Sequence, residues 1–159
     1  MNKSKIIKLV IAIALPLALG AIAGFFTSGS VQGWYSSLVK PSFSPPNWVF
    51  GPVWTILYVL MGISFYLVWT QPVSKKRNSG IVIFLMQLTL NFAWSFLFFY
   101  FHQIGLALIE IILLWILIVA MIIQFYKIVP IAAFINIPYL LWVSFATVLN
   151  GSYYFLNSR

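Results

Sequence analysis

The chain has few of the side chains that carry most enzyme chemistry. Its 159 residues include no cysteine, one acidic residue (Glu110) and one histidine (His102). The absence of cysteine excludes disulfides, thiolate metal sites and thiol nucleophiles. A carboxylate pair, a Ser-His-Asp triad or a His/Glu metal cluster cannot be assembled from one acid and one histidine. The sequence therefore predicts no metal site and argues against conventional hydrolytic or metal-dependent catalysis.

Charge is also scarce, at 6% of residues against about 25% in an average soluble domain. Hydrophobic residues make up 63%, and the mean hydropathy is +1.04. The apolar residues form five long runs, and about 20 apolar residues suffice to cross a hydrocarbon core as a helix. We therefore predict an all-α membrane protein, a single domain over 1–159 with five transmembrane helices. The expected helices are about 9–26, 49–70, 81–101, 105–126 and 129–153, with a long first loop at 27–47.

The positive charges are unevenly placed along the chain. Seven lie before the first run or in the second and fourth loops, against two, Lys40 and Arg159, on the other side. The positive-inside rule then predicts a cytoplasmic N-terminus, with the first loop and the C-terminus outside. Membrane topology explains the net charge of +8, so we expect no nucleic-acid partner.

A cluster of aromatic residues and prolines lies between the first two runs. The prolines disfavour a continuous helix there, and either Ser44 or Asn47 is the expected N-cap of the second helix. An aromatic belt at the membrane surface is one interpretation of Trp34 and Trp48. Trp54 lies about one and a half turns inside the helix, where a belt explains it less well.

Three predicted helices carry aromatic and amide side chains at spacings of three and four residues, which places each set on one face. Amides in hydrocarbon are costly unless they find partners, so these faces point inward. Helix packing explains each stripe alone, but the three together favour a pocket for a flat apolar molecule. The stripes are Trp54, Tyr58 and Met61 on the second helix, Gln87, Asn91, Trp94 and Phe98 on the third, and Tyr139, Trp142, Ala146 and Leu149 with Asn150 and Tyr153 on the fifth.

Three other features each have two interpretations. Gly20 and Gly24 form a small-xxx-small pair, which favours close helix packing or leaves room for a ligand at Gly24. Glu110, inside the fourth run, is either a functional carboxyl or a protonated one bonded to a neighbouring helix. His102 is either a solvated residue at the membrane surface or a ligand to haem iron.

The cluster and the stripes resemble the signature of the translocator protein family, also called the TspO/MBR, tryptophan-rich sensory protein or peripheral-type benzodiazepine receptor family. The match runs over nearly the whole chain, and we identify the chain with the bacterial members. The matching residues are Trp34-Tyr35, Leu38, Lys40-Pro41, Pro45-Pro46, Trp48, Phe50-Gly51-Pro52, Trp54, Leu57-Tyr58 and Met61-Gly62, then Leu90 to Ser95 and Phe98-Phe99, then Pro138-Tyr139-Leu140, Trp142, Phe145-Ala146-Thr147 and Leu149-Asn150.

The resemblance implies a dimeric five-helix bundle in the bacterial plasma membrane, with a pocket beneath the first loop. It implies binding of porphyrins such as protoporphyrin IX and haem, and of benzodiazepine-type ligands, with no cofactor required. The implied role is tetrapyrrole handling or stress signalling, with lipid, porphyrin or haem, and a second copy of the chain as partners. Carried over residue by residue, the ligand pocket consists of Gly24, Tyr35, Phe50, Trp54, Tyr58, Asn91, Trp94, Leu113, Trp142, Ala146, Leu149 and Asn150.

The resemblance leaves the activity open between binding and three alternatives. Some members are reported to degrade porphyrin in light, which makes Trp54 and Trp142 the candidate catalytic residues. A tetrapyrrole or sterol transporter and a purely structural membrane component are the other two. The chain departs from mammalian members at Ser44, where they have histidine, and at Leu106, where they have a pocket tryptophan.

Overall fold

The computed structural model describes residues 3–158, and within that range the chain is helical without strands. Five helical segments there are long and apolar enough to cross a membrane. This confirms the predicted all-α membrane protein with five transmembrane helices. The helices are α1 (Lys3–Gln32), α2 (Trp34–Ser37), α3 (Asn47–Trp69), α4 (Lys75–Ser95) with a π-helical turn at Phe96–Tyr100, α5 (Ile104–Tyr126), α6 (Pro130–Ile135) and α7 (Ile137–Asn157).

The first helix is longer than predicted, so the predicted loop over 27–47 is wrong in its first part. Helix α1 continues to Gln32, and α2 follows after Gly33 alone. The polar residues that suggested a loop bond back to the helix: the Thr27 hydroxyl donates to Ala23 O at 2.8 Å and the Ser28 hydroxyl to Phe25 O at 2.9 Å. Serine and threonine can satisfy themselves in this way inside a helix, which a composition-based prediction misses.

The start of α3 also differs from expectation. Pro46 occupies the N-cap position and no side chain caps the helix, so neither Ser44 nor Asn47 has the predicted role. The Ser44 hydroxyl instead forms a hydrogen bond of 2.9 Å with the Tyr153 hydroxyl. A loop residue is thereby tied to the last helix.

The fifth predicted helix is interrupted at Asn136, between α6 and α7. Pro138 follows at the start of α7, where its missing N–H costs no helical hydrogen bond. The buried Asn136 carboxamide donates to Ser64 Oγ on α3 and to Ala132 O. The interruption is therefore fixed by hydrogen bonds to a neighbouring helix.

The half of the bundle that contains the N-terminus of α1 is filled by aromatic packing. The rings of Phe65 and Phe84 stack at 4.4 Å between centroids, and Phe84 stacks on Phe125 at 6.3 Å. All three side chains are buried. The opposite half of the bundle, beneath residues 33–46, contains a cavity.

Positive side chains gather at the filled end. Lys8 Nζ lies 5.6 Å from the centroid of the Trp69 ring, and the Arg77 guanidinium donates two hydrogen bonds to Trp69 O at 2.9 and 3.1 Å. Lys40 lies at the other end of the bundle, on the first loop. Arg159, the second residue predicted on that side, is outside the described residues.

Candidate ligand-binding site

A cavity of about 640 Å³ lies between α1, α3, α4 and α7, at the end of the bundle covered by residues 33–46. Small-molecule sites have volumes of about 300–1,000 Å³, so the cavity has the size of a ligand pocket. Its walls are mainly apolar and aromatic, and among residues 3–158 no charged residue lines it. The cavity therefore suits a ligand whose buried part is uncharged.

Most residues that the resemblance assigns to the ligand pocket line this one cavity. They come from five elements, which the fold brings together although they are far apart in sequence. Their contact with a ligand stays a prediction. The residues are Gly24, Tyr35, Phe50, Trp54, Tyr58, Trp94, Trp142, Ala146, Leu149 and Asn150.

Aromatic rings form the cavity walls in an interlocking arrangement. Trp54 stacks on Tyr58 at 5.4 Å between centroids, and Phe50 meets Trp142 edge-on at 6.0 Å. Trp94 stacks on Phe98 at 5.3 Å. The fixed rings present preformed faces to any flat molecule that enters.

The polar groups around the cavity are mostly bonded to one another. Trp94 Nε1 donates to Asn150 Oδ1 at 3.0 Å, and Asn150 Nδ2 donates to Ile104 O at 3.1 Å. Trp142 Nε1 differs, because it is buried and has no hydrogen-bond partner among the described residues. Trp142 Nε1 is thus an unpaired donor packed inside the wall rather than one exposed to the cavity.

Asn91 lies behind the cavity wall and does not line the cavity, although the resemblance assigns it to the ligand contacts. Its carboxamide is buried, accepts from the Tyr58 hydroxyl at 2.8 Å and donates to the Tyr139 hydroxyl at 3.1 Å. Tyr139 in turn donates to Gln87 Oε1 at 2.8 Å. Asn91 therefore holds Tyr58 in place from beneath, and the amides that the sequence placed on an inward face are bonded within the protein.

Leu113 also lies away from the cavity, although the resemblance assigns it to the ligand contacts. It is 52% exposed on the outer surface of α5. The inward side of that helix carries Ala107, Ile111 and Leu114, and successive residues on a helix point about 100° apart. Leu113 therefore faces the lipid.

Besides the bond between Ser44 and Tyr153, the first loop is held over the cavity by hydrogen bonds to α7 at two further places. The Tyr153 hydroxyl donates to the Tyr35 hydroxyl at 2.7 Å, and Asn157 exchanges hydrogen bonds with the backbone of Val39 at 2.9 and 3.1 Å. On the other side, Trp34 stacks on His102 at 4.2 Å. Burial raises the pKa of the Tyr35 phenol above its ordinary value of 10.0, so this hydroxyl stays protonated at neutral pH.

Neither of the two remaining titratable candidates lines the cavity. His102 lies in the turn after the third span with a φ of 56°, and its ring stacks on Trp34. Glu110 is buried on α5, and neither of its carboxyl oxygens has a hydrogen-bond partner among residues 3–158. The hydrogen bond to a neighbouring helix, which one of the two interpretations of Glu110 requires, is therefore absent among residues 3–158.

Comparison with known proteins agrees with this arrangement. The sequence profile of the TspO/MBR family matches residues 12–156. The chain belongs to the TspO/MBR family. It is 42% identical to the tryptophan-rich protein TspO of Archaeoglobus fulgidus, over 96% of this chain and 99% of that one, and 42% identical to the TspO protein of Chlorobaculum tepidum, over 99% of each. The human translocator protein is 40% identical over 84% of this chain and 80% of its own length.

Membership of the TspO/MBR family makes the two departures from mammalian members informative. The Ser44 hydroxyl reaches Tyr153 and so ties the first loop to α7. Leu106 is 54% exposed, at the start of α5, and does not line the cavity.

Several residues that line the cavity were not predicted from the sequence. The π-helical turn brings Phe99 into the wall beside Phe98, and α1 contributes Thr27, Ser28 and Gln32. Because the loop was expected to begin at residue 27, the α1 residues had no predicted face. Threonine and serine can donate hydrogen bonds to the preceding turn of their own helix. This property of Thr27 and Ser28 is the signal that would have extended the predicted helix.

Proposed function

We propose that this TspO/MBR family protein binds a flat tetrapyrrole, such as protoporphyrin IX or haem, in the cavity beneath the first loop. The observation that carries the proposal is the convergence of three tryptophans, Trp54, Trp94 and Trp142, on one apolar cavity of about 640 Å³. Benzodiazepine-type compounds are aromatic and would use the same walls. The cellular role that follows is tetrapyrrole handling or stress signalling.

Aromatic packing is the main expected source of affinity. Each favourable ring pair contributes about 0.5–1.5 kcal/mol beyond the area it buries. Polar groups deep in the cavity, such as Trp94 Nε1 and the Asn150 carboxamide, are already bonded within the protein, so shape and ring contact would dominate selection there.

Localisation and assembly complete the proposal. We place the protein in the bacterial plasma membrane as a homodimer, with the N-terminus in the cytoplasm and the first loop outside. The support for this orientation is the charge distribution, since Lys8 and Arg77 both contact Trp69 at one end of the bundle. A positively charged end faces the cytoplasm in most membrane proteins.

Titration of purified protein with protoporphyrin IX tests the binding proposal. We expect saturable quenching of tryptophan fluorescence in the wild type. Trp142→Ala should raise the Kd about tenfold, because it removes one aromatic wall of the cavity. Trp115→Ala is the matched control, because Trp115 is 38% exposed on α5 and bonds Ser144 outside the cavity. For these variants the porphyrin absorbance band reports binding, and equal affinities in both would contradict the proposed site.

A second candidate function is light-dependent oxidation of the bound porphyrin. The observation that favours it is that Trp54 and Trp142 line the same cavity, beside the space that a bound porphyrin would occupy. An indole would transfer one electron to the excited porphyrin, oxygen would add to the reduced ring, and the electron would then return to the indole cation radical. The net change is the addition of one O₂ to the porphyrin, with oxygen as the oxidant. Under light and oxygen, the porphyrin absorbance should disappear with the wild type. The variant Trp54→Phe/Trp142→Phe should show only the rate of the free porphyrin, and Trp115→Phe the wild-type rate. Equal rates in all three proteins would leave binding as the sole proposed activity.

A further inference from the structure

Helices α1 and α3 are in close contact in the filled half of the bundle. A Cβ atom on Gly62 would lie 2.5 Å from Ile13 Cα and 2.7 Å from Ala12 O, so the two backbones touch there. A Cβ atom on Gly20 would collide with the ring of Tyr58. Glycine is what permits both approaches.

Towards the first loop the same two helices separate. A Cβ atom on Gly24 of α1 or on Gly51 of α3 would meet nothing within 4 Å. Both glycines are exposed, and both line the cavity. The cavity is therefore open sideways between α1 and α3, through a slot that begins above the contact of Gly20 with Tyr58.

The edges of this slot are two helical stripes of small or polar exposed residues. Residues 21, 24, 28 and 32 follow one edge of α1, and residues 47, 51 and 55 follow the facing edge of α3. Eleven residues of helix rise about 16 Å, which is roughly half of a hydrocarbon core of about 30 Å. The slot thus runs from the membrane surface to near the middle of the bilayer.

The two ends of the slot differ in chemistry. Its deep end has Ala21 and Thr55, and the Thr55 hydroxyl already bonds Gly51 O at 2.9 Å. Its outer end has the exposed carboxamides of Gln32 and Asn47, one on each side, and neither bonds to another residue in 3–158. These two amides are available to a ligand at the membrane surface.

We propose that the slot is the ligand's route from the lipid leaflet and that Gln32 and Asn47 bind the carboxylate edge of an amphiphilic ligand. The proposal rests on the proposed tetrapyrrole function and adds the class of ligand: a flat molecule with carboxylates on one edge. Because no charged residue in the described chain lines the cavity, a carboxylate inside it would be buried without a counter-ion, at high cost. At the outer end it stays hydrated and accepts hydrogen bonds from both amides.

A comparison of protoporphyrin IX with its dimethyl ester tests the carboxylate contact, with the full-length protein in lipid nanodiscs. For Gln32→Ala/Asn47→Ala we expect the Kd of the free acid to rise about tenfold, since hydrogen bonds to charged groups are the stronger ones. The Kd of the ester should change less than about twofold. Gln103→Ala is the matched control, because Gln103 is exposed at the same end and does not line the cavity. Equal changes for acid and ester, or no change, would overturn the contact.

A kinetic measurement tests the route. With protoporphyrin IX dissolved beforehand in the nanodisc lipid, Gly24→Leu should lower both the association and the dissociation rate about tenfold, because the side chain obstructs passage in both directions. Gly29→Leu is the control, since Gly29 is exposed on the same helix, has nothing within 4 Å of its Cβ position and lies outside the cavity. Association as fast as in the control, or a rise in dissociation alone, would overturn the route. A wild type that binds neither probe would instead refute the proposed function.

Discussion

Replacing Ala146 by phenylalanine is expected to abolish porphyrin binding while leaving the bundle folded. Ala146 lies on α7 one turn from Trp142, is 8% exposed and lines the cavity. A phenyl ring there would occupy the space between the aromatic walls that a flat ligand needs. We expect the Kd for protoporphyrin IX to rise by at least about a hundredfold, equivalent to about 2.7 kcal/mol.

Val148→Phe is the matched control for this substitution. Val148 lies two residues away on the same helix, but it is 61% exposed on the outer surface. The control adds a similar ring to α7 without entering the cavity, so its affinity should equal that of the wild type. Thermal unfolding in detergent should show both variants folded. If Ala146→Phe binds as tightly as Val148→Phe, the ligand does not occupy this cavity.

The sequence was sufficient to predict the five spans because lipid imposes one requirement on all of them. A run of about 20 apolar residues must form a helix when no water can satisfy its backbone. The same logic gave the inward faces of the spans that carry Trp54, Trp94 and Trp142, since their amide and aromatic stripes had to be buried. These faces do meet at one cavity.

Two residues that were expected in the pocket do not line the cavity, for reasons that one sequence does not reveal. Asn91 was expected in the pocket because an amide in lipid needs a partner, but Tyr58 and Tyr139 supply the partners from within the protein. Leu113 was carried over from the family resemblance alone, and in α5, which is apolar apart from Glu110 and Gln124, no stripe of polar residues separates exposed Leu113 from buried Leu114. Helical periodicity identifies a buried stripe only where polar residues recur on one face of the helix and apolar residues on the other.

The sequence also did not predict the slot between α1 and α3, although it indicated one of the glycines that border the slot. Gly20 and Gly24 share a helix face, and the pair favoured either close helix packing or room for a ligand at Gly24. In the structure each glycine has its own role, because Gly20 admits the ring of Tyr58 and Gly24 borders open space. The difference depends on where the two helices part, which is a property of the packed bundle.

Replacing Asn91 by leucine is expected to weaken both the fold and the binding site, although Asn91 does not line the cavity. The change removes the acceptor of the buried Tyr58 hydroxyl and one partner of Tyr139. Leaving a buried hydroxyl unsatisfied costs about 1–3 kcal/mol, so we expect the free energy of unfolding to fall by about 2 kcal/mol. Since Tyr58 stacks on Trp54 in the cavity wall, a displaced Tyr58 should also weaken porphyrin binding.

The double variant Asn91→Leu/Tyr58→Phe separates this mechanism from simple loss of packing. Removing the hydroxyl as well as its acceptor leaves no orphaned group between the two side chains, and such paired removals are close to neutral. The double variant should therefore regain about 1 kcal/mol relative to Asn91→Leu alone, measured by equilibrium unfolding in detergent. If the effects of the two single substitutions simply add, the hydrogen bond between Tyr58 and Asn91 does not hold Tyr58 in place. A recovery of both stability and porphyrin affinity in the double variant would show that Asn91 supports the cavity wall through its hydrogen bond to Tyr58.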